Sequence, residues 1–140
     1  MLIHTDAVEA RAKTVVPLTT KTFVSFAKRD ANGELPVAPY AVIHPADGVD
    51  SQERVSGPRV AQHPSFTFHI VGSSYRNCQE VTELLKAKFI AGGIPIQINV
   101  SGEKGRGLYW HSPQPTQVDN DIKPPLIYNV VEVGWISEPA

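Results

Sequence analysis

Between Pro64 and Val100 the hydrophobic period of the chain changes from two to between three and four and back, and no other stretch constrains the fold as strongly. In Pro64–Gly72, Phe66, Phe68 and Ile70 alternate with Ser65, Thr67 and His69, the pattern of a half-buried strand. After Gly72-Ser73-Ser74, Cys78, Val81, Leu84, Leu85 and Phe89 recur three and four residues apart, with Gln79, Glu80, Glu83, Lys86 and Lys88 between them. That spacing predicts a helix from about Arg76 to Phe89 with one apolar stripe, which must lie on a sheet. Ser73 or Ser74 suits its cap, the acidic residues its early turns, the lysines its end, and Gly92-Gly93 a left-handed stop. Ile94, Ile96, Ile98 and Val100 then alternate with Pro95, Gln97 and Asn99 and predict a second strand. The expected packing sets Val81, Leu84, Leu85 and Phe89 against Phe66, Phe68, Ile96 and Val130.

The flanking segments complete an α+β expectation: a mixed, mostly antiparallel sheet carrying one main helix and a short N-terminal helix, with a long irregular arm. Thr5-Asp6 followed by Glu9 reads as a capping box, with Val8, Ala12 and Val15 or Val16 as the buried side and Pro17 as the limit. Thr22–Lys28 is β-branched and aromatic and predicts a strand turned by Asp30-Ala-Asn32-Gly33, with Tyr40–His44 as its partner. The glycine-rich run Ser101–Gly107 opens a strand, Leu108–His111, and so reads as a hairpin in preference to a phosphate cradle, which would open a helix. Leu126–Trp135 is apolar on both faces, as befits an interior strand.

Residues 45–63 keep no periodicity. An irregular connection of that length is functional or disordered. Its only larger apolar residues are Val49, Val55 and Val60, too few to offset the roughly 1 kcal/mol or more that ordering each backbone residue costs. The arm therefore needs a neighbour to pack on.

At 140 residues the chain is expected to form one domain, residues 1–140. A net charge of -1 generates no general attraction to nucleic acid or an anionic membrane. No stretch approaches the roughly 20 apolar residues of a membrane span, so a soluble, intracellularly made protein is expected. The single cysteine, Cys78, falls on the apolar stripe and reads as a buried thiol.

Chemistry-bearing constellations are scarce. His4, His44, His63, His69 and His111 show no short metal-ligand spacing. Asp119-Asn120-Asp121 lacks the glycine of a calcium loop and has Val130 where the distal glutamate would stand, so it reads as a turn. Asp47, Asp50 and Glu53 have no apolar setting that would tune a catalytic carboxylate, and no nucleophile elbow or cofactor fingerprint is present. The expectation is a protein that is not an enzyme and carries no cofactor or metal.

The order of elements, together with Pro39-Tyr-Ala-Val-Ile-His44-Pro-Ala-Asp, Gly57-Pro-Arg59, His63–Gly72 and the run Gln117-Val-Asp-Asn-Asp121 to Tyr128, resembles the tail terminator (tail completion) proteins of long-tailed bacteriophages, and most closely those of phages infecting actinobacteria. The resemblance implies a small α+β structural protein of the virion, assembled in the host bacterial cytoplasm. Its copies would form a ring, expected to be a hexamer, that ends the tail tube and joins it to the head-side neck. The implied partners are further copies of the chain, the tail tube protein and a head–tail connector or stopper protein. No membrane and no sequence-specific nucleic acid is implied, the genome passing through the ring. In such a ring Arg54 and Arg59 of the arm are expected to meet carboxylates such as Asp119 or Asp121 of another copy. Two alternatives stand beside it. One is another neck or tail component, a stopper or tube subunit. The other is a small nucleic-acid-binding module in which Lys104 and Arg106 contact phosphates while Tyr109 and Trp110 stack on bases.

Overall fold

The computed structural model describes residues 2–46, 62–122 and 125–139. The chain folds as an α+β protein: helix α1 (Leu2–Ala12), a short 3-10 turn (Val16–Leu18), β1 (Thr22–Val24), β2 (Tyr40–Ala46), β3 (Ser65–Gly72), helix α2 (Tyr75–Lys86), β4 (Ile90–Ala91), β5 (Ile94–Pro95), β6 (Glu103–His111), β7 (Gln117–Asp119) and β8 (Leu126–Pro139). The main sheet runs β1-β2-β3-β8-β6, with β7 on the same edge of β8 as β6. Only the β1–β2 pair is parallel among the described pairs. As its apolar character demands, β8 lies inside the sheet, and it continues past Trp135 to Pro139.

Both helices cover one sheet face. Phe66, Phe68 and Ile70 of β3, Ala41 and Ile43 of β2, and Val131, Val133 and Trp135 of β8 meet Val81, Leu85 and Phe89 from α2 and its C-terminal extension, and Val8, Ala12, Val15 and Leu18 from the N-terminal segment. Ser74 caps α2 as its sequence position suggests, its Oγ accepting the Asn77 amide at 3.1 Å. The first turn of α2 lies directly over the end of β3: a Cβ on Gly72 would come within 2.5 Å of the Cys78 backbone, so only glycine permits the approach. Cys78 is buried and its thiol donates to the Ile70 carbonyl at 3.3 Å, while burial pushes its pKa up and so disfavours the thiolate.

Several expectations are corrected. Leu84 faces solvent, because Cys78, Val81, Leu85 and Phe89 already complete the buried stripe and Leu84 lies about 100° round the helix from Leu85. Val130 points to the opposite sheet face from the helices; alternation gives the core positions to Val131 and Val133. Gly92 and Gly93 do not stop α2, which ends at Lys86 with Ala87 as its cap. Their φ values of 60° and 82° make them the two central residues of a tight hairpin between β4 and β5. The hairpin diverts Ile94–Val100 from the main sheet, so only Ile94–Pro95 is strand there and Ile94 is exposed, while Ile98 still reaches the core. Helix α1 starts at Leu2, ahead of Asp6, because its buried face includes His4 and Thr5 as well as Val8 and Ala12. Finally, β1 and β2 are not a hairpin. Residues 25–39 cross over to bring β2 back parallel to β1, although Asp30 does form the expected turn, its carboxylate accepting the amides of Asn32 and Glu34 at 2.8 and 2.9 Å.

Candidate interaction surface

The sheet face opposite the helices is built in two halves. Next to the β2 start, the 25–39 crossover packs Ala27 and Ala38 over Tyr40, Val42 and Val71, with Phe23, Leu126 and Tyr128 at the margin. Beyond it, toward the far end of β2, the register sets His44, Thr67, Glu132 and His111 in one row across β2, β3, β8 and β6, and Val42, His69 and Val130 in the next. A bulge in β6 determines which side chains join this face. Between the pairs Arg106↔Ile136 and Tyr109↔Gly134, β6 advances three residues while β8 advances two, so the alternation is reset there. Lys104 and Arg106 before the bulge and Tyr109 and His111 after it share the helix-free face. Tyr109 lies over Gly134 and is 46% exposed. Trp110 turns the other way, into the core, with ring centroids 5.8 Å from Phe89 and 6.2 Å from Phe68. The expected pair of stacking rings, Tyr109 and Trp110, is thereby split between the two faces. Arg106 is further engaged by Glu138 at 2.7 Å, an exposed pair in which each partner favours the other's charged form.

Of the four expected contact residues, Arg54 and Arg59 lie outside the described residues, as does most of the arm. Asp119 ends β7, and its Oδ1 accepts the Asp121 amide at 3.0 Å, forming the turn expected at this sequence. Neither Asp119 nor Asp121 is paired with a basic side chain among the described residues. The turn borders a groove of about 640 Å³ whose walls include Leu35, Val37, Ile122 and Leu126, with Arg29 and Glu34 among its polar groups. Register fixes where this groove stands relative to the arm. Ala46 pairs with Ser65 at one end of β3, and Gly72 pairs with Ile127, next to the β7 partner Leu126, at the other. The arm therefore leaves the sheet at Ala46 and rejoins it at the Gln62↔Ser137 bridge, roughly 23 Å from the end that carries the acidic turn.

Sequence reasoning missed two polar clusters, for which no local motif exists because their members come from distant parts of the chain. In the first, His4 Nε2 lies 3.3 Å from Ser137 Oγ and 3.5 Å from Glu103 Oε2, and Ser137 donates to Glu103 Oε1 at 3.3 Å. The residue types are those of a hydrolytic triad, but the arrangement is not. Serine and carboxylate both address the same imidazole nitrogen, and the serine hydroxyl donates to Glu103, so the ring does not stand between the two as it does in a triad. His4 and Ser137 are each 1% exposed, so no substrate reaches them. The cluster ties α1 to β6 and β8. In the second, Gln79 donates to Thr116, Thr116 to Asn129, Asn129 to Thr82 and Thr82 to the Cys78 carbonyl, at 2.6, 2.5, 2.8 and 2.7 Å. This chain clasps the segment before β7 to α2 and satisfies the buried Asn129.

No group of three or more histidine, cysteine or acidic side chains converges as a metal site among the described residues, and none of their helices is long and apolar enough to cross a membrane. A scan against protein-family models and a search of curated proteins gave no match to this chain.

Proposed function

We propose that the chain is a structural subunit of a phage tail, a tail terminator whose copies close into a ring that ends the tail tube and joins it to the neck. The observation that carries this reading is the polarity of the sheet. The arm is rooted at one end, while an apolar groove with the Asp119–Asp121 turn beside it stands at the other. Arg54, Val55, Arg59 and Val60 have the chemistry such a groove receives, apolar side chains for its walls and guanidiniums for its rim. A donor at one end and a receptor at the other suit a head-to-tail contact, the kind that closes by rotation into a ring. Function then lies in surfaces, with the tail tube and a neck connector as further partners, and the chain performs no turnover.

Charge reversal tests the contact. Asp121→Lys, at an exposed position, is expected to weaken self-association roughly tenfold or more, and Arg54→Glu with Arg59→Glu to do the same; mixing the two variants should restore it, because the acidic arm then meets a basic turn. Sedimentation velocity reads all three. Unchanged association in both variants would remove the contact.

One observation favours a second reading, a single-strand-binding module: Lys104, Arg106 and Tyr109 share the helix-free face. The inward turn of Trp110 and the engagement of Arg106 by Glu138 count against it. Salt-sensitive binding of a single-stranded oligonucleotide by a monomeric protein would support it.

A further inference from the structure

We propose that the contact of His44 with His69 is a proton-operated switch in the seam between β2 and β3: the two imidazoles pack against each other across the strands, and positive charge brought into that contact by acidification loosens the seam. The two rings are diagonal neighbours, His44 opposite Thr67 and His69 opposite Val42, with centroids 4.7 Å apart and planes at 61°. His69 also leans on Tyr128 of β8 at 5.9 Å. The titratable groups facing the pair are few among the described residues. β2 adds Tyr40, β8 adds Tyr128 and Glu132, and β1 adds none; the 25–39 crossover, which packs over Tyr40, Val42 and Val71, carries Lys28, Arg29, Asp30 and Glu34, and beyond β8, β7 ends in Asp119 and β6 presents Lys104, Arg106, Tyr109 and His111. Glu132, the one carboxylate among them close to the pair in register, stands opposite Thr67 and His111, and forms an ion pair with neither imidazole. Among the described residues, a proton on one ring is therefore felt by the other with no carboxylate in ion-pair contact to compensate it.

Burial, and secondly the neighbouring His44, lower the His69 pKa below its ordinary 6.5. The unfolded chain then binds the proton at a higher pH than the folded chain. Stability is complete above about pH 6.5, declines as pH falls below it, and levels off once the folded protein is protonated too. The carboxylate held low by Arg106, Glu138, titrates below its ordinary 4.5 and contributes outside this window. None of this depends on whether the chain forms a ring.

The test is an NMR titration of the histidine ring protons together with thermal melting between about pH 7.5 and 5.5. The expected result is a His69 midpoint below 6.5 that rises toward the ordinary value in His44→Gln, and a melting temperature that falls across the window less in His69→Gln than in the wild type. His44→Gln keeps the test decisive if His69→Gln does not fold. A His69 midpoint at or above 6.5, or one unmoved by His44→Gln, would overturn the switch.

Discussion

Leu85→Ala is expected to lower the stability of the fold by about 2–5 kcal/mol, the range for truncating a leucine in a core that cannot collapse into the space left. Leu85 is fully buried between α2 and the sheet, in a cluster that holds Phe66, Phe68, Phe89 and Val131. Aromatic and β-branched neighbours fixed in a sheet relax poorly, which favours the upper part of the range. At about 3 °C per kcal/mol for a chain of this size, the melting temperature should fall by ~6–15 °C. Leu84, its neighbour in sequence, is 51% exposed, and Leu84→Ala should change stability by less than about 0.5 kcal/mol. Thermal melts of the two variants side by side test the orientation of the helix. Equal losses would mean that α2 is rotated from the position described.

Deleting residues 48–58 is expected to leave the fold intact and abolish assembly. The sheet is held by pairs on both sides of the deletion, Ala46↔Ser65 and Gln62↔Ser137, and residue 47 with residues 59–61 still spans the connection. Circular dichroism and melting should therefore stay close to the wild type, while the proposed head-to-tail contact is lost and the ring expected from it falls to single chains. A ring that persists without residues 48–58 would show the arm to be dispensable, and a chain that fails to fold would show it to be part of the core.

The residues that announced themselves in the sequence are those whose burial follows one regular period. Phe66, Phe68 and Ile70 alternate, Cys78, Val81, Leu85 and Phe89 keep one helical stripe, and β8 is apolar throughout its middle, so β3, α2 and the interior place of β8 were legible. Leu84 was not separable from Leu85, because adjacent leucines both fit a stripe read from spacing alone. The start of α1 was hidden by the polar residues on its buried side, His4 and Thr5, which no hydrophobic pattern flags. The alternation of Ile94–Val100 is genuine, but Gly92 and Gly93 spend it on a local hairpin, and the turn they make looks in sequence like a helix stop. Strand direction was equally invisible: a strand as short as β1 carries no mark of being parallel to β2. At the candidate contact, the turn at Asp119–Asp121 was readable from its residue types, whereas its place beside a groove, at the end of the sheet away from Ala46 and Gln62, emerges only from the register of β3 with β2 and β8.

The most direct test of the ring is the mass of the purified protein by light scattering over rising concentration, with negative-stain images of the same sample. The account predicts a particle of about six chains with a central hole. A mass of one chain at every concentration, with no annular particles, would contradict it.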